Sequence, residues 1–196
     1  MDLAEDYIRS IKRQFLYYKT LAEKAMEQLT PEQLFCSADE DTNSIAVIVK
    51  HLNGNMLSRW TDFLTTDGEK EWRNRDNEFD NPYTDKETLL ANWEEGWSCL
   101  FTAIENLNAE NLTEIIYIRN EGHTVLEAIN RQLAHYPYHV GQIVFYAKQL
   151  KSGKWNSLSI PKNKSNQYNS GKFSEEKGKR NFIDAELNKL NNPDNQ

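Results

Sequence analysis

Hydrophobic side chains recur every three or four positions in four separate stretches of this 196-residue chain. Such spacing places them on one face of an α-helix, because the helix makes one turn in 3.6 residues. The stretches run from Leu3 to about Leu29, from about Ser44 to Leu64, from Thr84 to about Leu107 and from Thr124 to about Lys151. The pattern therefore predicts an all-α protein built as a four-helix bundle.

Two of these helices begin with the spacing of a capping box, in which a Thr and a Glu three residues later bond each other's backbone N–H groups. The pairs are Thr84 with Glu87 and Thr124 with Glu127. Pro137 lies inside the fourth helix and removes one backbone donor, so we expect a bend there.

The segments outside the four helices are polar. Residues 65–83 form a long connection between the second and third helices, and such loops are often functional or strap two helix ends together. Residues 113–119 are rich in β-branched side chains, but an isolated hairpin is marginal in water, so we expect a loop. We expect the bundle to span residues 1–151 and residues 152–196 to form an irregular, partly flexible extension. Within that extension only 174–190 shows weak helical periodicity.

Composition narrows the class of protein. The net charge is −7 and the acidic excess lies in the bundle, which disfavours a nucleic-acid partner. The basic segment Lys162–Arg180 leaves a docking arm for nucleic acid as a weaker alternative. We expect no secretory signal and no membrane span, since the apolar runs are short. Two cysteines, Cys36 and Cys99, are too few for a disulfide framework and favour a cytoplasmic location.

Three of the four histidines are candidates for a metal site. His135 and His139 are four residues apart, so one face of a helix presents both, about 6 Å apart along the axis. His51 lies in the second helix beside its apolar stripe, and the small residues Gly54 and Ser58 leave space next to it. Three imidazoles with an open fourth position are typical of catalytic zinc sites, and imidazole also suits nickel, iron and copper.

Polar residues near these histidines are candidates for substrate contacts or for hydrogen bonds to the ligands. They are Asn55, Arg59, Tyr138, Gln142 and Tyr146. Alternatively, each of these side chains makes an ordinary hydrogen bond within the bundle or is exposed to solvent. The fourth histidine, His123, lies about 18 Å of helix before His135 and is expected at the surface or at a helix cap.

The order of these motifs resembles the DinB-like, or YfiT-like, superfamily of metal-dependent enzymes. The resemblance is carried by His51 in HLNGNMLSRW and by the string HYPYHVGQI, which contains His135, His139 and Gln142, and it covers roughly Met1 to Leu150. It implies an up-down-down-up four-helix bundle. It also implies a divalent ion, often nickel or zinc, on the three histidines.

Characterised members of that superfamily include thiol S-transferases that use bacillithiol and mycothiol-dependent isomerases, and homodimers are usual. The resemblance therefore implies an enzyme whose metal activates a thiol or water for group transfer or hydrolysis on a small molecule, with a low-molecular-weight thiol as a candidate partner. The alternative is a non-catalytic bundle that serves as a binding or dimerisation module, with the histidines as a structural cluster.

Overall fold

A computed structural model describes residues 2–80 and 83–192. In chain order its elements are α1 (Leu3–Met26), α2 (Pro31–Phe35), α3 (Ile45–Trp60), α4 (Asn77–Asp80), α5 (Lys86–Glu105), a 3-10 turn (Asn111–Thr113), β1 (Ile115–Ile118), β2 (Glu121–Thr124), α6 (Val125–Lys151), α7 (Ser165–Phe173) and α8 (Phe182–Asn191). The long helices α1, α3, α5 and α6 form the body. Both α1 and α3 pack against α5 and α6, so the order around the bundle is α1, α6, α3, α5. The all-α bundle is confirmed.

The starts of the long helices show how local sequence sets their limits. The capping box of Thr124 and Glu127 at the start of α6 is confirmed, with each residue bonding the other's backbone N–H. The box predicted at Thr84 is wrong. Asp85 caps α5 instead, because its carboxylate accepts the backbone N–H of Thr88 at 2.7 Å.

α3 ends earlier than the hydrophobic pattern predicts, whereas α6 matches its predicted limits despite Pro137. α3 ends at Trp60 rather than Leu64, and Asp62 beyond it adopts a left-handed φ of 46°, which a continuing helix does not allow. α6 continues through Pro137 from Val125 to Lys151, so the two histidines that flank the proline stay on one helix.

The segment before α6 is a hairpin, where a loop was expected. β1 and β2 pair antiparallel, and Ile118 lies opposite Glu121. The two turn residues, Arg119 and Asn120, have φ values of 57° and 61°. A type I′ two-residue hairpin turn requires positive φ at both positions, and Asn adopts it readily.

The hairpin forms because it is not isolated. The carboxylate of Asp67, in the connection after α3, accepts the backbone N–H groups of Arg119 and Asn120 at 2.8 Å each. Ile116 and Ile118 are buried in the core. The connection and the bundle therefore supply the stability that a free hairpin lacks.

The C-terminal extension, expected to be irregular apart from the weak helical signal at 174–190, contains two helices, α7 and α8. α8 packs on α1, with Ile183 and Leu190 buried and Asp184 paired with Arg13 Nε at 3.1 Å. The weak periodicity in this part of the chain was therefore a real helical signal. None of the described helices has an apolar stretch of the length that a bilayer requires.

Candidate metal centre

The three predicted histidines meet between α3 and α6. Nε2 of His139 lies 3.1 Å from Nε2 of His135, and Nε2 of His51 lies 3.5 Å from the same atom. Two ligands of a tetrahedral zinc ion, each bonded at about 2.0–2.1 Å, lie about 3.3 Å apart. One ion can therefore be held by all three rings, and one ligand nitrogen from each lies within 4.8 Å of the others.

The second nitrogen of each ring, Nδ1, faces a side-chain oxygen. The pairs are His51 with Glu78 at 2.9 Å, His135 with Gln132 at 3.1 Å and His139 with Gln142 at 2.8 Å. An acceptor at this position keeps the proton on Nδ1 and leaves the lone pair of Nε2 for a metal. The donor set thus fits a divalent ion, since three imidazoles lie close together with an oxygen beside each Nδ1.

Burial favours the neutral state of His135 and His139. Burial, together with the charges that His139 and His51 would carry, lowers the pKa of His135 to about 3. Burial also lowers the pKa of His139, although its hydrogen bond with Gln142 acts in the opposite direction. Neutral imidazole is the form that binds metals. His51 is buried, whereas His135 and His139 are half-buried, so the α6 side of the site is the more open one.

Glu78 comes from α4, in the connection between α3 and α5. Arg73 donates to it from Nε at 2.8 Å and from a terminal nitrogen at 3.1 Å. Burial raises the pKa of Glu78, but its bonds with His51 and Arg73 outweigh that effect, so the pKa lies below its ordinary value. A Cβ at Gly54 would lie 2.3 Å from Oε1 of Glu78. The space predicted beside Gly54 therefore holds a carboxylate.

Two of the five polar candidates lie at the histidines. Gln142 makes the hydrogen bond to His139 described above. The ring of Tyr138 stands 5.0 Å from the ring of His139 in an edge-to-face arrangement, with its side chain 64% exposed. Tyr138 therefore lies at the rim of the site.

The other three candidates make contacts with other parts of the fold. Asn55 Oδ1 accepts the hydroxyl of Tyr136 at 3.1 Å. Arg59 bonds the backbone carbonyl of Gly68 and the carboxylate of Glu69, which ties the connection to α3. Tyr146 is buried in the core along α6.

Three residues of the site were not among the predicted candidates: Gln132, Glu78 and Arg73. Gln132 had a sequence signal, because it precedes His135 by three residues on one helix, as Gln142 follows His139. Glu78 and Arg73 had none, since they lie in a polar connection with several other acidic and basic residues.

Comparison with known proteins adds one finding. A family model described as "Protein of unknown function (DUF1572)" matches residues 2–164. The matched region contains the histidines, the connection and the hairpin, and it ends before α7. Neither the curated proteins nor the solved structures give a significant match.

Proposed function

This chain belongs to the DUF1572 family of proteins of unknown function, and on that premise we propose that it is a divalent-metal-dependent enzyme of the DinB-like superfamily. One observation carries the proposal. The Nε2 atoms of His51 and His139 both lie within 3.5 Å of Nε2 of His135, while an oxygen acceptor holds Nδ1 of each ring. A histidine cluster that served packing alone would need only one hydrogen bond for each ring, with no such convergence.

Zinc and nickel are the metals we propose, because neutral imidazoles suit both ions. When bound, such an ion lowers the pKa of a coordinated water or thiol and polarises a carbonyl. The protein supplies three imidazole ligands and leaves the fourth position for that water, thiol or substrate. The half-exposed edges of His135 and His139 give a small molecule access to that position.

The reaction we propose is transfer of a group to a thiol, or hydrolysis, on a small molecule in the cytoplasm, with a low-molecular-weight thiol as partner. The motif string of α6 supports this reaction class by its resemblance to the DinB-like superfamily, whose characterised members include thiol S-transferases. The chain's own two cysteines, Cys36 and Cys99, are free.

We further propose a homodimer, supported by an apolar face beside the site. Tyr138 and Phe145 are 64% and 72% exposed and lie seven residues apart, on one side of α6. Isolated exposed apolar residues are common, but two aromatic rings on one helix face favour a contact with another protein surface.

The test is metal analysis of the untagged, full-length protein after incubation with Zn²⁺ or Ni²⁺ and removal of free ion. We expect one ion per chain in the wild type, and loss of that ion in His51→Ala and in His139→Ala. His123→Ala is the matched control, because this histidine lies on β2 outside the cluster. It should retain the ion.

Two results would contradict the proposal: a wild-type protein that binds no ion, or a His51→Ala variant that keeps one ion per chain. If chelation of the bound ion left every thiol-transfer and hydrolysis rate unchanged, the non-catalytic binding module would be the better description.

A further inference from the structure

The three hydrogen bonds that orient the histidines are not equivalent. His135 and His139 are held by neutral amides from their own helix, three residues before and three residues after them. His51 is held by a carboxylate that comes from a different element, 27 residues further along the chain. A carboxylate on the far nitrogen of a metal-binding histidine fixes the ring and makes it a stronger ligand.

The protein accepts a large desolvation cost to put that carboxylate in place. Glu78 is 5% exposed, although it lies in a mostly exposed connection. A buried charge requires a partner, and Arg73, whose side chain is 2% exposed, supplies two hydrogen bonds. Buried ion pairs add little net stability compared with apolar packing. The pair is therefore better explained by what it does at His51 than by stability.

The rest of the connection is built around the same pair. Glu69 accepts from Arg59 of α3 at 3.1 Å and from Arg119 of the hairpin at 3.0 Å, and it lies 3.5 Å from Arg73. Alternating charges thus run from the hairpin through the connection to His51. These contacts fix the position of the segment that carries Glu78.

The ring of His51 is also covered by this segment. Phe79 lies against it, with ring centroids 5.1 Å apart, and the guanidinium of Arg75 stands 5.2 Å above Phe79. Gly54, one turn after His51 on α3, has no side chain and admits the carboxylate of Glu78. Residues 61–80 therefore close one side of the metal centre.

We propose that Glu78 is a positioning residue for the metal ligand His51, and that docking of residues 61–80 and metal binding stabilise each other. The inference rests on the proposed metal site. Glu78 does not touch the ion. It holds His51 Nδ1, so that His51 Nε2 faces the ion only while the connection is docked. By thermodynamic reciprocity, an ion on His51 then favours the docked connection.

The first test compares Glu78→Gln with Glu71→Gln in the untagged, full-length protein. Glutamine keeps the shape and one acceptor oxygen of Glu78 but removes its charge. Glu71 is exposed in the same connection, so its replacement is a control for the loss of one negative charge. Zinc affinity is measured by competition with a chromophoric chelator. We expect Glu78→Gln to bind zinc about 10- to 100-fold more weakly and Glu71→Gln to match the wild type.

The second test needs no variant. Amide hydrogen exchange is measured in the wild-type protein with and without zinc. We expect zinc to slow exchange in residues 61–80 and to leave exchange in α7 unchanged. Two results would overturn this inference without contradicting the proposed metal site. One is a zinc affinity of Glu78→Gln equal to that of the wild type, and the other is a rate of exchange in residues 61–80 that is the same with and without zinc. A wild-type protein that binds no zinc would overturn both proposals.

Discussion

Gly54 and Glu78 fill neighbouring space inside the bundle, and the fit leaves no room for a methyl group. A Cβ at Gly54 would lie 2.3 Å from Oε1 of Glu78. Arg73 holds that carboxylate, so it can retreat only by breaking those hydrogen bonds. We expect Gly54→Ala to pull the carboxylate away from His51, to lower the free energy of unfolding and to weaken zinc binding about tenfold in chelator competition.

Gly141 provides the matched control for that change. It also lies inside a long helix, but a Cβ there meets nothing within 4 Å. Alanine is favoured over glycine inside a helix by about 0.5–1 kcal/mol. Gly141→Ala should therefore stabilise the protein in urea unfolding and leave zinc affinity unchanged. Zinc binding of wild-type strength in Gly54→Ala would show that the carboxylate can move without harm to the site.

The low pKa of His135 makes the stability of the metal-free protein depend on pH. Its pKa is about 3 in the folded protein, whereas an ordinary histidine in the unfolded chain takes up a proton below about pH 6.5. The unfolded state therefore binds more protons between these values, and stability falls as the pH falls. His139, whose pKa burial also lowers, acts in the same direction. We expect urea to unfold the metal-free protein more easily at pH 5 than at pH 7.

The contribution of His135 can be separated from the rest of the chain. His135→Gln removes the group, so stability should change less between pH 7 and pH 5 than in the wild type. His123→Gln, outside the cluster, should keep the wild-type dependence. The same loss of stability in His135→Gln as in the wild type would mean that this imidazole is not the source.

Individual residues of the site were predictable when the contact is local. His135, His139 and Gln142 lie on one helix, where spacing alone determines which side chains are neighbours. The contact of His51 with Glu78 joins two elements 27 residues apart, and helical periodicity carries no information about such a pair. The contacts of Asn55 and Arg59 were not predictable for the same reason, because their partners, Tyr136 and the connection, are distant in sequence or lie outside α3.

Among the elements, the long helices were predictable because each has a continuous apolar face and a polar end. The hairpin was not, since its stability comes from contacts made elsewhere. Asp67 holds its turn, and the backbone N–H of Gly68 donates to the carbonyl of Tyr117 at 2.8 Å. The β-branched residues of Ile115–Ile118 indicated a possible strand. Asp67, which stabilises the hairpin turn, lies about 50 residues earlier in the chain, so the local pattern did not reveal this contact.

The connection is the element that gives the bundle its candidate function. It ties the hairpin to α3 through Asp67 and Glu69, and it delivers Glu78 to His51. Its length, which first suggested either a functional loop or a strap, allows it to contact both the hairpin and His51. A short turn between α3 and α5 would lack Glu78 and its contact with His51.

In the molecule as a whole, the site and the C-terminal extension lie on different helices. The histidines are on α3 and α6, whereas α8 packs on α1, which is not among the principal neighbours of α3. Leu190 of α8 is buried, so Leu190→Ala should lower the free energy of unfolding by about 2 kcal/mol. Phe182→Ala, on the same helix at 63% exposure, should have little effect. Because α8 does not reach the histidines, both variants should bind zinc as the wild type does. A loss of zinc affinity in Leu190→Ala alone would show that the extension supports the metal centre through α1 and α6.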